Sequence, residues 1–297
     1  MIASAHIAPS RFAPEPVALE LPGGRSLAVG PEALVMGVVN ATPDSFYPGS
    51  RRRGAAEAAE AALAMAEAGA SIVDVGGEST RPGSDSVGEE EELERVVPVV
   101  AAIRSRSGVA VSVDTRKASV ARAALDAGAD IVNDVSALLH DPAMAGLVAG
   151  RGVPVVLMHM KGDPKTMQAS PSYSDCPAEV RAFLLEAAAR AERAGVDRRR
   201  VILDPGIGFG KRLEDNLALI ARLGELAAEG YPVLVGLSRK SFVGAVTGRA
   251  VEERLAGSLG AACAAFLGGA RIFRVHDVAE TRDALRVFEA ALRGRGA

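Results

Sequence analysis

Cysteine is scarce in this chain, with two among 297 residues, and Cys176 and Cys263 lie in unlike surroundings, a polar loop and an Ala-rich apolar run. Neither a CxxC nor a Cys/His ligand spacing can be formed from them, which excludes a zinc module and leaves two reduced thiols. Aromatic residues make up only 4%. The basic runs Arg51–Arg53 and Arg198–Arg200 are short and not interleaved with aromatics that stack on bases, and the formal net charge of −3 gives no overall basic field. A nucleic-acid partner is therefore not expected. The chain also lacks the ~18 uninterrupted apolar residues of a membrane span, and its N-terminus lacks the basic start and apolar core of a secretory signal. The expected setting is the cytoplasm, with no membrane partner.

What is present is an ordinary globular balance, 48% hydrophobic and 24% charged residues, at a length that suits one closed α/β barrel as well as two small domains. Met1–Pro16 reads as a loose tail, and the remainder, 17–297, as a single domain. Val17–Gly30 carries two short strands around a Gly-Gly turn, a hairpin placed to plug the bottom of a barrel. Thereafter Val- and Ile-rich runs alternate with stretches of helical period, the pattern of repeated βα units. The spacing predicts strands over Leu34–Val39, Ser71–Val75, Val109–Val113, Asp130–Val132, Pro154–Met158, Val201–Leu203, Pro232–Val235 and Arg271–Val275. Helices are expected over Ala55–Ala68, Glu89–Ser105, Ser119–Ala127, Ala178–Ala194, Glu214–Ala228 and Ala279–Leu292, with Gly69, Gly128 and Gly195 as stops. The strands read as continuous apolar runs without clean in/out alternation, as in a parallel sheet covered by helices.

Every predicted strand is followed by polar or glycine-rich residues: Asn40, Gly76–Glu78, Asp114, Asn133, His159, Asp204, Ser238–Lys240, and Arg274 with His276. An open doubly wound sheet gathers its ligand groups at one switch point, whereas a barrel directs every strand end at one centre. The fold class expected is therefore a (β/α)8 TIM barrel with a short N-terminal β-hairpin.

The strand ends carry the chemistry. In MGVVNATPDSF the Asn40 amide oxygen suits a hard cation such as Mg2+, and equally suits capping its own turn. DVGGESTRPGS places Thr80 and Arg81 on a loop where a guanidinium recognises phosphate or carboxylate, or simply pairs with a neighbouring Glu. Asp114 and Asn133 end successive strands, and a carboxylate beside an amide matches the donor and acceptor edge of an aminopyrimidinone ring. Asp204 is a second carboxylate for the same ring, and Phe209 is a stacking surface. DPGIGFGK is not a phosphate loop, because Pro205 and Arg212 occupy positions where a Walker A sequence needs Gly and Ser or Thr. Lys240, Arg274 and His276 follow the seventh and eighth strands, where barrels often bind phosphate, and Ser241 is expected to open a helix whose N-terminus suits an anion. His159, between two methionines, reads as structural or pocket-lining.

Taken in order, MGVVNATPDSF, DVGGESTRPGS, VSVDT, VNDVSAL, VLMHMKGDPKTMQ, LDPGIGFGK, VGLSRKSF and FRVHDV closely resemble the dihydropteroate synthase family, from about Leu34 to Phe288. The resemblance implies an enzyme that joins a pterin pyrophosphate to p-aminobenzoate. It implies that Asp114, Asn133, Asp204 and Lys240 hold the pterin, with Met158 lining its pocket and Gly236 also counted among the substrate-binding positions. Asn40, Arg274 and His276 would take the pyrophosphate with Mg2+, and Thr80, Arg81, Phe209 and Ser241 would surround p-aminobenzoate. Asp114, Asp204, Lys240, Arg274 and His276 form the implied catalytic set, and a homodimer is implied as well. One departure stands out: the family usually continues DSF with Ser-Asp-Gly-Gly, whereas this chain has Tyr47-Pro48-Gly49-Ser50 at what is expected to be a loop tip. Two rival readings are a methyltetrahydrofolate-type methyltransferase, which has less use for the cationic cluster, and a pterin-binding paralogue without turnover, which would be expected to lose parts of ESTRPG or SRKS.

Overall fold

The computed structural model describes residues 16–41, 48–78, 86–162, 166–169 and 171–294, with the backbone alone for 48–53. The hairpin pairs β1 (Val17–Glu20) with β2 (Ser26–Val29) in antiparallel register, Val17 opposite Val29 and Glu20 opposite Ser26. Its connection runs through Gly23 and Gly24, both at φ +73°, a conformation that glycine adopts without the Cβ penalty of other residues.

Among the described residues eight parallel strands follow: β3 (Leu34–Asn40), β4 (Ile72–Gly76), β5 (Ala110–Asp114), β6 (Ile131–Asp134), β7 (Val155–Met158), β8 (Val201–Asp204), β9 (Leu234–Gly236) and β10 (Ile272–Val275). Their order is β8-β7-β6-β5-β4-β3-β10-β9. The ends of this series meet through a parallel Leu203–Val233 bridge and a 2.9 Å hydrogen bond from Leu203 N–H to Pro232 C=O. The expected (β/α)8 barrel is therefore what forms, and all eight predicted strands are present with their ends moved by one or two residues.

The helices are α1 (Pro48–Glu67), α2 (Glu89–Arg104), α3 (Ala118–Asp126), α4 (Ala143–Arg151), α5 (Cys176–Arg193), α6 (Leu213–Ala221), α7 (Leu223–Ala227), α8 (Ser241–Thr247), α9 (Leu255–Leu267) and α10 (Val278–Arg293). Gly69, Gly128 and Gly195 stand just past α1, α3 and α5 with φ near +100°, as the stop signals required. Two expectations are corrected. The helix predicted over Glu214–Ala228 is two helices, broken at Arg222, whose φ/ψ of −108°/18° leaves the helical region. Pro48, Gly49 and Ser50 do not form a loop tip but lie in the first turn of α1, where the N–H that proline lacks would be unpaired anyway. Tyr47, like Thr80 and Arg81, lies outside the described residues, as does the expected tail up to residue 15.

The barrel interior corrects the reading that the strands lack alternation. One inward residue per strand forms an apolar floor: Met36, Ile72, Ala110, Ile131, Val156, Ile202, Leu234 and Ile272, sealed from below by Leu19, Leu21 and Val29 of the hairpin segment. Two residues further along each strand, the period that returns to the same face, stand Val38, Asp74, Ser112, Asn133, Met158, Asp204, Gly236 and Arg274. The outward positions, such as Val73, Val111, Leu157 and Phe273, pack in the larger core with the helices. Both faces are apolar at the base of the strands, so the alternation becomes visible only where the inward face turns polar. Leu19 is fully buried in the floor. We expect Leu19→Ala to lower unfolding free energy by about 2–5 kcal/mol, measured by urea denaturation, with ligand affinity at the opposite end unchanged. A loss confined to a few tenths of a kcal/mol would mean that the hairpin is not integral to the barrel.

Candidate active site

A cavity of about 730 Å³ opens at the C-terminal ends of the strands. Its walls carry Asn40 from β3, Asp114 from β5, Asn133 from β6, Met158 from β7 and Asp204 from β8. Gly236 and Arg274 come from β9 and β10, while Phe209, Lys240, Ser241 and His276 come from the following loops or helix starts. Of the candidate site residues, Thr80 and Arg81 lie outside the described residues.

Arg274 organises the centre. Its Nε donates to Asp74 Oδ2 at 2.6 Å and its Nη2 to Asp114 Oδ2 at 2.8 Å, while Asn133 Nδ2 donates to the same Asp74 oxygen at 3.1 Å. These contacts follow from register: Gly76 pairs with Asp114 and Asp114 with Asn133. A Cβ on Gly76 would stand 3.4 Å from that of Asp114, so glycine leaves the carboxylate open towards the cavity. Arg274 is thus shared between two carboxylates. Burial works against its charge, yet Asp74 and Asp114 hold it firmly protonated. Burial pushes the Asp114 carboxyl up to about 7; Arg274 opposes this, and the negative neighbours Asp74, Glu92 and Asp134 add to it. Asp204 is also raised by burial, against the pull of Lys240 and the Gly206 N–H, which donates to its Oδ1 at 2.7 Å.

Asp74 was missed as a site residue. Its signal was a carboxylate inside the run Ile72-Val73-Asp74-Val75, costly to bury unless paired. Lys211 was missed too. It is only 3% exposed, and its ammonium lies 2.8 Å from Gly206 C=O, 3.1 Å from Phe209 C=O, 3.3 Å from His159 C=O and 3.0 Å from His159 Nδ1. Burial pulls Lys211 down to about 7. The turn closes this tightly because a Cβ at Gly206 would fall 1.9 Å from His159 C=O. His159 is buried edge-on against Phe183 and its basicity is pulled down to about 3, first by burial and then by Lys211. It serves the loop's structure.

Lys240 donates to Ile207 C=O and its ammonium stands 4.4 Å from the centroid of Phe209, a cation–π geometry. One side of the expected stacking surface therefore already carries this charge. Burial draws Lys240 down to about 8, with Asp204 supporting its charge and Arg274 opposing it. His276 is exposed at the rim with Nδ1 3.1 Å from Ser238 Oγ. Ser241 opens α8, as expected.

The family profile described as pterin binding enzyme matches residues 36–276. The dihydropteroate synthase of Escherichia coli (strain K12) is 50% identical over 258 residues, 87% of this chain and 91% of that protein. A solved Xanthomonas albilineans dihydropteroate synthase with 4-aminobenzoic acid superposes with a TM-score of 0.86 at 47% identity, covering 93% of this chain and 98% of the other. The same organism's enzyme in complex with 7,8-dihydropteroate gives 0.82 at 45% identity, covering 92% and 98%.

The raised Asp114 has a consequence for stability. Because the folded carboxyl binds its proton more tightly than the unfolded one, folding takes up protons between the usual 3.8 and about 7, so ionisation of Asp114 weakens the empty fold as pH rises through that window. Asp114→Asn removes this ionisation. Its melting temperature is expected to match wild type near pH 4 and to exceed it above pH 7, measured by calorimetry. A variant less stable than wild type at pH 8 would show that the pair with Arg274 outweighs burial.

Proposed function

This chain belongs to the pterin-binding enzyme family, among the dihydropteroate synthases, and from that premise we infer how its own residues perform the reaction. The enzyme is a transferase of folate biosynthesis that condenses 6-hydroxymethyl-7,8-dihydropterin pyrophosphate with p-aminobenzoate, giving 7,8-dihydropteroate and pyrophosphate. The observation that carries the residue assignment is the convergence of Asp114, Asn133 and Asp204 on a cavity whose lining also carries Lys240, Arg274 and His276.

Carboxylates at Asp114 and Asp204 accept hydrogen bonds from the amino and ring N–H groups of the pterin, Asn133 supplies an amide, and Met158 and Gly236 line the ring's face and edge. Lys240 donates to the same ring, exchanging its contact with Ile207 C=O for the ligand. When Asp114 turns to the pterin, Arg274 keeps Asp74 through Nε and offers Nη2 to the pyrophosphate, beside His276. Fixed cations stabilise the departing pyrophosphate because its charge grows as the bond breaks. The dihydropterin stabilises the methylene cation left behind, and the weakly basic aryl amine adds to it; the acidic ammonium so formed gives its proton to the released pyrophosphate or to water, so no strong general base is required. Phe209, Ser241, Thr80 and Arg81 are assigned to p-aminobenzoate.

The Asn40 amide at the end of β3 fits Mg2+, an ion that keeps most of its water and is held by one or two protein oxygens together with substrate phosphates. Among the described residues no group of three or more His, Cys, Asp or Glu offers a rival cage. When bound, Mg2+ neutralises pyrophosphate charge. We further place the barrel and its hairpin in one domain, as a homodimer in the cytoplasm; among the described residues no helix is long and apolar enough to cross a membrane. Both rivals fit less well, since the methyltransferase reading leaves the cationic rim without an anion and the paralogue reading leaves ESTRPG and SRKS without a reason to be intact.

Mixing the protein with pterin pyrophosphate, Mg2+ and p-aminobenzoate should yield dihydropteroate; binding without product would favour the paralogue. Lys240→Ala and Asp114→Ala should each remove most activity in a folded protein, a loss of about 1.5–3 kcal/mol or more for a charged hydrogen bond. Near-normal turnover in either would refute the pterin assignment. In calorimetry, Arg274→Ala and His276→Ala should weaken pyrophosphate binding, which should itself require Mg2+ to be tight. Equal affinity in wild type and both variants would assign the two residues to structure.

A further inference from the structure

Lys240 and His276 project from two different loops, those after β9 and β10, and a single ion pair between their sequence neighbours joins the loops. Arg239 Nε donates to Asp277 Oδ2 at 2.8 Å and its Nη2 to Oδ1 at 2.6 Å. This is a two-pronged fork, whose geometry fixes orientation as well as distance. Arg239 also holds an uncommon backbone conformation, φ +56°, which a non-glycine residue keeps only when its surroundings over-determine it. They do so here. The Arg239 N–H donates to Ser258 Oγ of α9 at 2.8 Å, its C=O accepts from Arg254 Nη1 at 3.2 Å, and its Nη1 reaches Glu252 C=O at 3.1 Å. Arg254 in turn lies against α8 at Gly244, where a Cβ would meet the guanidinium at 2.3 Å.

The geometry points to Arg239 and Asp277 as a pair of positioning residues: the fork sets the αL turn that directs Lys240 into the cavity and holds the β10 loop, with His276, at a fixed separation from it. No role for either residue follows from the motif reading, and neither belongs to the set assigned to substrate. The αL backbone at Arg239 reverses the chain between Ser238 and Lys240, so the next side chain enters the site and α8 starts immediately behind it. Besides the fork, the β9–α8 turn meets the β10 loop at Ser238 Oγ, which accepts from His276 N–H at 3.3 Å and lies 3.1 Å from its Nδ1. A misplacement of about 1 Å at a reacting group is enough to reduce turnover by up to roughly a hundredfold.

This inference rests on the assignment of Lys240 to the pterin, and the test separates the two. Arg239→Gly keeps the turn accessible, since glycine favours φ above zero, and removes the fork; Asp277→Asn keeps size and removes the charge. Each variant should retain the wild-type fold by circular dichroism and lose roughly tenfold to a hundredfold in kcat/KM for pterin pyrophosphate. The double variant should be no worse than the poorer single one, because both remove the same contact. The charge-swapped Arg239→Asp, Asp277→Arg protein should recover part of the loss, aspartate being among the residues that tolerate this backbone. On a Lys240→Ala background either change should cost clearly less than in the wild-type enzyme, because only the part that acts through His276 remains. Unchanged kinetics in both folded single variants, or losses that multiply in the double variant, would overturn the proposal. So would a loss confined to the KM of p-aminobenzoate in Arg239→Gly with Asp277→Asn at wild-type level, which would make Arg239 a direct contact of that substrate. If Lys240→Ala is itself fully active, the assignment of Lys240 fails and the pair is only a loop tie; if it is impaired while both single variants are normal, only the positioning role fails.

Discussion

One guanidinium shared between two carboxylates sets the terms for the rest of this site. Arg274 stands in the second inward layer of the barrel, half-buried at the cavity wall, and it is held there by Asp74 and Asp114. Three charges in such a place are costly to desolvate and persist only because each has a partner in good geometry. The group carries a net negative charge when all three are ionised, and burial relieves it by raising Asp114. In the proposed reading, a ligand that donates hydrogen bonds to Asp114 would take over the task of satisfying that carboxylate, leaving Arg274 to an anion while still anchored on Asp74. Recognition of the ring and of its charged substituent would then be coupled through one side chain.

Around this centre the protein positions its site-bearing loops by two cationic clamps, one buried and one partly exposed. Lys211 gathers carbonyls of the Gly206–Phe209 turn and of His159, fixing the segment that bears Asp204 at one end and Phe209 at the other. The fork of Arg239 on Asp277 ties the loops bearing Lys240 and His276. In both cases a cation outside the pterin-facing set holds neighbouring backbone in a conformation rich in positive φ: Gly206, Gly208 and Gly210 in one turn, Arg239 in the other. Lowered basicity at Lys211 and Lys240 has a common origin, the dry surroundings of the cavity wall, but their employments differ. Lys211 is used up on protein carbonyls, whereas Lys240 faces the cavity.

Much of this was legible in the residues. Alternating apolar runs and helical periods gave the eight strands and the order of the main helices, because a βα unit writes its own hydrophobic pattern locally. Helices α4 and α9 were not singled out: AMAGLVAGR is short, and LAGSLGAACAAFL is apolar and small on every side, so neither displays a polar face from which a period can be read. The break at Arg222 was equally silent, since α6 and α7 continue one helical composition and differ only in the φ/ψ of a single residue. Polar residues at strand ends pointed to the cavity wall, and ten of the twelve substrate-binding positions singled out line the cavity, Thr80 and Arg81 lying outside the described residues.

What the sequence by itself determined was the class of fold and the list of groups available at its open end, because strand, helix and strand-end polarity are written in short-range patterns. Which groups touch was decided only by the tertiary structure. Asp74 and Arg274 are 200 positions apart, and no local pattern says that an acid in the middle of one strand faces the base near the end of another. Closure of the barrel brings β3, β4, β5 and β10 side by side at the spacing of a parallel sheet, and that proximity makes Arg274 the shared partner of two carboxylates. The same closure gives Lys211 and Arg239 their work, since a cation has no identity as a clamp until the carbonyls and carboxylates of other loops surround it.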